Sequence, residues 1–503
     1  MTAVIVAGGG PVGLLTAALL DAADVPVEVF EKNDAPSEHS KATTVHPRTL
    51  EILTTLRVAD GRRMADVLLE QGRTTPHTHF ATLPRLLDYS DLDTPYPFVL
   101  MIPQARTERA LLAHLRDRDV PVHYGRPVTG TEQRPDGVRV TVGDTVHEAR
   151  YLVGADGAHS LVRRLTGVEF PGSPPTSIGF VADVALNQPP RAARHLWFRD
   201  TGNMSVLPLP DGRYRVFGTE AADTGLTAEE VRARQAQPLT LPALLDSVRR
   251  ITGTDCGITE AYWLSRVSDS NRHAARYRTG RVLLAGDAAH VHFPAGGQGL
   301  NVGLQDAANL AWKLAAEVHG RAARGTVDGP FGYDHERRPV AARLAANTLA
   351  QGALMTTFTP GGEALRDLFT ELVARGDGTA AELVSWLSGL GVSYPAPDGH
   401  HPLTGTRAPD LALADGSSLM RALHPERFLL VDLIPGGCLS DLATPQVQVR
   451  AARPAAGPWE GLAAVLVRPD GHVAHATSHA GPEETARAIA EWAPPVEVSK
   501  RAS

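Results

Sequence analysis

The first thirty residues change apolar texture twice. Residues 3–7 form a β-branched run that stops in glycines, residues 11–23 carry helical spacing, and residues 25–30 form a second apolar run ending at Glu31. That order predicts strand, helix and strand, the βαβ unit of a parallel sheet. The stretch IPQARTERALLAHLRDR, residues 102–118, is amphipathic at the helical period. Residues 120–124 and the alternating 137–142 follow as a strand pair, and residues 151–154, YLVG, read as a buried strand. From about 176 to 268 the pattern alternates with hairpin punctuation, as in MSVLPLPDGRYRVFGTE, where Pro210-Asp211-Gly212 supplies turn chemistry. An inserted antiparallel sheet is expected there. Helical texture returns at 300–319 and again from 334 to about 376. Residues 394–410, YPAPDGHHPLTGTRAPD, read most simply as a linker. Beyond them FLLVDLI, VQVRAA, LAAVLVRPDGHVAHAT and the helical EETARAIAEWA predict a small α/β module.

A chain of 503 residues exceeds one ordinary core and is expected to divide into two or three domains. A net charge of -7 without any block of like charges offers no basic face for nucleic acid. Cys256 and Cys438 lie too far apart in sequence to suggest a disulfide framework, so a reducing cytoplasm is expected. The apolar N-terminus lacks a basic flank, is broken by glycines and a proline, and is followed by Asp21 and Asp24. It reads as fold rather than secretion signal. No long uninterrupted apolar run predicts a membrane span.

Chemistry enters at the turn after the first strand. Gly8, Gly10 and Gly13 form G-x-G-x-x-G between a strand and a helix, the context in which the motif binds a dinucleotide. The first glycine permits the tight turn, the second admits a pyrophosphate to the backbone, and the third lets helix and strand pack closely. The helix N-terminus offers free N–H groups and a dipole to the phosphates, and Glu31 can accept from the ribose diol. These residues alone leave NAD(P) and FAD open. His290 and His292 suggest an H-x-H metal pair, but the neighbouring glycine, proline and alanine offer no third ligand, and no metal is expected.

Two further segments carry a resemblance. YLVGADGAHSLVRRLTG, residues 151–167, resembles the Asp-Gly motif of the class A FAD-dependent aromatic hydroxylases, flavoprotein monooxygenases related to p-hydroxybenzoate hydroxylase. RVLLAGDAAHVHFPAGGQGLN, residues 281–301, resembles their Gly-Asp motif, and SKATTVHPRTLEIL, residues 40–53, a family segment beside the flavin. The resemblance covers roughly residues 1–170 and 278–346. It implies an α/β fold: a Rossmann-like FAD-binding domain (1–175 and 271–393), an inserted antiparallel β-sheet substrate domain (176–270), and a linker with a C-terminal thioredoxin-like α/β domain (394–503). The tail, matched at VLVRPDGHVAHAT, lacks C-x-x-C and points to the polyketide-tailoring subgroup.

The resemblance assigns residues. Asp287 would hydrogen-bond the ribityl chain; Gly297, Gly299, Leu300 and Asn301 would present backbone N–H groups to the ring. The Pro294 carbonyl would face the reacting oxygen, although Phe293 and Ala295 depart from the family pattern around it. Asp156, backed by Arg163, would serve FAD and the nicotinamide cofactor, and Gln104 the ribityl or phosphate region. Gly8, Gly10, Val12, Gly13, Glu31, Lys32 and Val128 would line the adenosine and pyrophosphate part. Lys41 occupies a basic position beside the flavin, and Arg48 the pyrophosphate or flavin edge, with a catalytic part beside Pro294.

The implied chemistry is hydride transfer from NADPH or NADH to FAD, addition of dioxygen to give a C(4a)-hydroperoxyflavin, and insertion of one oxygen atom into a polycyclic aromatic substrate. The partner is that small molecule, with no membrane or nucleic acid, and a homodimer is admitted. Baeyer–Villiger oxygenation on the same scaffold and a non-catalytic flavin-fold binder of a reactive intermediate stand as alternatives. A flavin halogenase would carry W-x-W-x-I-P, whereas every tryptophan here is isolated.

Overall fold

The computed structural model describes residues 2–39, 42–190, 195–323, 325–452, 457, 459–479 and 481–494. Its centre is a six-stranded sheet in the order Arg278–Thr279, Val282–Leu284, Tyr151–Gly154, Val4–Ala7, Val27–Phe30, Val122–His123. Val4 pairs in parallel with both Tyr151 and Val27, and only the edge strand Arg278–Thr279 runs antiparallel. Val4–Ala7 and Tyr151–Gly154 are buried at every position, as a parallel sheet covered on both faces requires. The helix Pro11–Asp21 packs against the long helix Gln298–Val318, joining the two ends of the FAD-type region in one core.

The inserted sheet is present as expected. Its five antiparallel strands run in the order His195–Arg199, Gly202–Pro208, Tyr214–Glu220, Ile178–Leu186, Ile258–Ser268. The hairpin at Pro210 closes through the Leu209 N–H on the Arg213 carbonyl at 2.8 Å and the Gly212 N–H on the Leu209 carbonyl at 3.3 Å, with Gly212 at φ +83°. The helix Leu241–Thr252 covers one face through Leu244, Val248 and Ile251.

Two expectations change. The helical stretch from 334 to 376 divides into Tyr333–Thr356 and Pro360–Ala374, because Pro360 cannot continue a helix and instead opens the next, whose Gly362 N–H is capped by the Thr359 hydroxyl. The expected linker at 394–410 is packed. Tyr394 and Ala408 are buried, and the Gly405, Ala408 and Val473 N–H groups bond to the Val473, Gly471 and Thr406 carbonyls, so the segment lies as a strap along the last strand. A small sheet of Thr44–Val45, Val99–Met101 and Arg73–Thr75 has no counterpart in the sequence reading.

The C-terminal domain has a mixed four-stranded sheet, Val447–Ala451, Phe428–Asp432, Ala464–Val467 and Val473–Thr477, with the helix Pro482–Trp492. Cys438 in this domain and Cys256 in the inserted one are both free thiols. Among the described residues, no helix is long and apolar enough to cross a membrane.

A buried ionic network ties this domain to the first. Arg468, fully buried, forks onto Glu336 at 2.7 and 3.0 Å and also meets Asp470. Lys313 completes the set on Glu336, and Asn309 and Trp312 donate to the same carboxylates. Burial lowers Lys313 to about 8 despite Glu336 beside it. Burial would raise Glu336, but Arg468 and Lys313 hold it below the usual carboxylate range. Two cations and two carboxylates balance, which is what makes their burial tolerable. Glu336→Gln is therefore expected to leave Arg468 and Lys313 short of countercharge and to cost about 3–5 kcal/mol of unfolding free energy, measured by denaturant titration. A loss below about 1 kcal/mol would show that the network does not stabilise the interface.

Candidate functional site

The glycine turn has the geometry its spacing predicts. Gly8 sits at φ +113°, and a Cβ there would come 2.2 Å from the Ala155 carbonyl oxygen; one on Gly13 would come 2.0 Å from the Gly8 carbonyl oxygen. Gly10 differs: nothing lies within 4 Å of its missing Cβ. The first and third glycines are thus demanded by packing, and the second opens onto free space. The helix Pro11–Asp21 that follows has no side-chain cap, leaving first-turn N–H groups for a ligand. Glu31 is fixed at the end of the neighbouring strand, where Oε2 accepts from the Gly9 N–H at 2.7 Å and Oε1 from the Asn33 N–H at 2.9 Å. Each oxygen keeps a lone pair for a further donor. Lys32 beside it is exposed. Val128 opens a strand whose preceding loop lies on this segment, with the Arg126 N–H on the Glu31 carbonyl at 2.8 Å.

Val12 is wedged against two glycines. A Cβ on Gly286 or Gly303 would come 2.9 or 2.8 Å from its Cγ2. This packing sets residue 287 beside the first helix, and Asp287 is the exposed position in an otherwise buried run from 282 to 290. The exposed carboxylate next to a helix N-terminus and an open glycine is suited to hydroxyl donors of a ligand. Gly286 itself is held from below, where the buried Asp306 accepts from its N–H at 3.1 Å, from His290 Nε2 at 2.7 Å and from Arg337 Nε at 2.6 Å. Burial would raise the Asp306 carboxyl, and Arg337 with His290 holds it below its ordinary value.

The loop that follows presents backbone. The Ala295 N–H bonds to the Phe293 carbonyl at 2.7 Å, a three-residue turn that leaves Pro294 exposed at its tip. Gly296 and Gly297 both take left-handed φ, +66° and +65°, and a Cβ on Gly297 would come 1.9 Å from Thr44 Oγ1. One on Gly299 would meet His292 Nε2 at 2.8 Å. The helix Gln298–Val318 starts here with no side-chain cap and no acid in its first turn, and Leu300 is half-buried at its start. Asn301 binds the loop to the chain at 44–46: its Oδ1 accepts from the His46 N–H at 2.8 Å, and its Nδ2 donates to the Thr44 and Gly297 carbonyls at 3.0 and 2.8 Å. His46 is buried, donates from Nε2 to the Gly296 carbonyl at 2.9 Å and accepts at Nδ1 from the Tyr89 hydroxyl at 3.3 Å. Burial, outweighing that carbonyl, lowers its pKa to about 4, so it is neutral.

Other expected residues are placed differently. Asp156 accepts from the Leu161 and Val162 N–H groups at 2.7 and 3.1 Å, so its carboxylate caps the short helix Leu161–Leu165. Arg163 behind it donates to the Ala288 carbonyl at 2.7 Å and lies 3.7 Å from the Phe170 ring, which joins the Asp-Gly segment to the Gly-Asp loop. Gln104 starts the helix Gln104–Asp117, with its N–H on the Ala42 carbonyl at 3.0 Å and its amide on Glu108 at 2.7 Å. Lys41 lies outside the described residues. Arg48, expected at the pyrophosphate or flavin edge, is redirected: its guanidinium bonds Glu51 at 2.8 Å and the Asp470 carbonyl of the C-terminal domain. Those contacts place it at the interface with the C-terminal domain, where it is 3% exposed. His290 and His292 find protein partners in Asp306 and the Phe293 carbonyl.

A family model described as "FAD binding domain" matches residues 1–348, and one described as "Aromatic-ring hydroxylase, C-terminal" matches residues 401–495. This chain belongs to the FAD-dependent aromatic-ring hydroxylases. It is 38% identical over 97% of its length, and 97% of the relative's, to YhjG of Bacillus subtilis, described as an uncharacterized aromatic compound monooxygenase. The solved structure of OxyS, an anhydrotetracycline hydroxylase from Streptomyces rimosus, matches with a TM-score of 0.86 at 36% identity, covering 98% of this chain and 99% of that one. A dialkyldecalin synthase of Streptomyces rugosporus is 36% identical over 94% of this chain and 95% of its own.

FAD is accordingly the hydroxylase's cofactor, with NAD(P)H and dioxygen the usual co-substrates of the class. The residues present fit it: a glycine with open space over the first helix N-terminus, a fixed carboxylate one strand away, an exposed carboxylate at 287 and an uncapped helix start at 297. Sequence reasoning missed Asp306, Arg337 and His46. A signal existed for the long helix, where Asn301, Gln305, Asn309 and Lys313 recur every four residues and are all buried, a polar stripe that only a network can satisfy.

Gly297→Ala is expected to cost about 1–3 kcal/mol and to weaken FAD retention, because the new Cβ meets Thr44 at a left-handed φ. Adding Thr44→Ala should recover part of the loss but not all, read by flavin fluorescence on dilution and by thermal unfolding. His46 gives a pH prediction. Its folded pKa of about 4 lies below the 6.5 of the free side chain, so between these values the unfolded chain takes up a proton that the folded chain refuses. Stability is unaffected above pH 6.5 and falls below it, by up to about 3 kcal/mol at pH 4. His46→Gln should lower stability at pH 7.5 yet flatten its decline between pH 6.5 and 4; an unchanged slope would contradict the burial argument.

Proposed function

We propose that this protein is an NAD(P)H-consuming monooxygenase that inserts one oxygen atom from dioxygen into a polycyclic aromatic, polyketide-type substrate, by hydroxylation in secondary metabolism. The observation that carries the proposal is the exposed Asp287 carboxylate beside the first helix, in the segment that leads to the uncapped helix start at Gly297. Bound FAD would supply hydride acceptance and oxygen activation. The chain's own residues bind and orient it. Glu31 accepts from the ribose diol, the first-turn N–H groups of Pro11–Asp21 face the phosphates, and Asp287 accepts from the ribityl hydroxyls.

The N–H groups from Gly297 to Asn301, at the positive end of a 21-residue helix dipole, favour negative charge on the reduced ring. The exposed Pro294 carbonyl stands on the same loop as an acceptor for a proton near the reacting atom. Around that loop Phe80, Phe293, Leu354, Met355 and Leu387 form an apolar cluster, with Phe217 of the inserted sheet against it. Such a wall excludes water and suits a flat aromatic substrate. The anhydrotetracycline hydroxylase similarity supports a polycyclic phenol over a simple benzoate.

A second reading draws on the dialkyldecalin synthase relative: the flavin scaffold holding a reactive intermediate while a ring forms, with no net oxidation. The two readings are separated by oxygen uptake. The purified protein is expected to be yellow and to oxidise NADPH with equimolar oxygen consumption on a matching polycyclic phenol, giving a product one oxygen heavier. Product NMR then distinguishes a hydroxyl from a Baeyer–Villiger ring oxygen. Asp287→Ala is expected to weaken FAD binding about tenfold or more, one charge-assisted hydrogen bond's worth. Unaltered FAD affinity in that variant, or isomerised product without oxygen uptake in the wild type, would overturn the respective assignment.

A further inference from the structure

A cleft of about 660 Å³ opens between the C-terminal domain and the side of the FAD-binding domain. Its walls are the segment 55–63, the C-terminal ends of the helices Pro11–Asp21 and Gln104–Asp117, and residues 415–427 of the C-terminal domain. A second hollow of about 270 Å³ continues it, sharing Arg57, Arg63 and Arg421. None of the residues assigned to FAD lines either space.

The cleft is arginine-rich, and its ion pairs leave a surplus. Arg118 is paired with Asp21, Arg421 with Asp66 at 3.3 Å, Arg450 with Asp415 at 3.8 Å, and Glu426 is taken by Arg321. Among the described residues, no carboxylate lies within ion-pair distance of Arg57, Arg63 or Arg427. Arg57 and Arg427 are exposed, whereas Arg63 is 6% exposed and donates only to the backbone carbonyls of Thr55 and Arg421. Burial, together with Arg57 and Arg421 nearby, pulls its pKa down. A buried cation without a countercharge is costly unless something anionic completes it. An independent observation points the same way. His114, on the same wall and 3% exposed, has no hydrogen-bond partner on either ring nitrogen.

We propose that this cleft binds a phosphorylated small molecule, a phosphate monoester or diphosphate of nucleotide size, between Arg57, Arg63 and Arg427 with His114 donating. The planar guanidinium forks match phosphate oxygens in pairs, and the volume exceeds what a lone phosphate group would fill. The site is separate from the FAD groove and does not depend on the oxygenation reading.

The test is calorimetric titration of the full-length, FAD-loaded protein with sodium diphosphate, against sodium chloride at matched ionic strength. Saturable one-site binding is expected, weakened at least about tenfold in the double variant Arg57→Gln/Arg427→Gln, which alters exposed side chains only, as the loss of one charge-assisted contact requires. Arg63→Met should abolish it, with its thermal unfolding measured alongside. No heat beyond the chloride control, or equal affinity in wild type and the double variant, overturns the proposal. Two sources of phosphate are then told apart kinetically. Competition between diphosphate and NADPH, raising KM at constant kcat, assigns the cleft to the co-substrate's phosphates; binding without a KM change assigns it to a free phosphorylated ligand.

Discussion

The carboxylate of Asp306 is the constraint around which the flavin region is built. Deep in a helix, it would be expensive alone, and Arg337, His290 and the Gly286 N–H together make it affordable. Two of these partners come from one loop and the third from another helix. Gly286 begins the loop that carries Asp287, His290 follows it, and Arg337 comes from the next long helix. Arg337 also donates to the Tyr394 hydroxyl and to the Val302 carbonyl at 3.1 Å each, so the same ion pair reaches the strap. The positions of the exposed Asp287 carboxylate and of the strap therefore share one buried charge pair.

Rigidity around the glycines follows from this arrangement. Gly297 is not merely permissive; Thr44 stands where any side chain would go, and Asn301 clamps the two segments by three hydrogen bonds. A loop so held presents its N–H groups without having to be ordered when a ligand arrives, which is how preorganised donors become effective.

What the sequence disclosed was local. The βαβ start, the Pro210 hairpin and the two glycine motifs each owe their form to residues a few positions apart, and all appear where they were expected. The placement of Glu31 and Asp287 was legible because strand ends and glycine turns dictate where such side chains stand. The contacts of Arg48 were not legible, because a helix start says nothing about which way its second residue points, and its partner Asp470 lies 422 positions away. The Asp156 carboxylate also accepts from the N–H groups of its own short helix, a local contact that spacing does not reveal. The strap was hidden by composition: proline, glycine and histidine resemble a tether until Thr406 and Val473 are seen to pair.

That strap and the ionic network behind it bear on how such proteins can be recombined. A crossover near residue 400 looks like a clean seam between two modules, yet it parts Glu336 and Lys313 from Arg468 and Asp470, and Tyr394 from His472, whose rings lie 4.4 Å apart. A chimaera assembled there from two divergent relatives would bury mismatched charges unless both sides of the seam descended from one parent. The C-terminal domain is thus matched to its flavin-binding partner through buried charges, and the seam at residue 400 is not a neutral one.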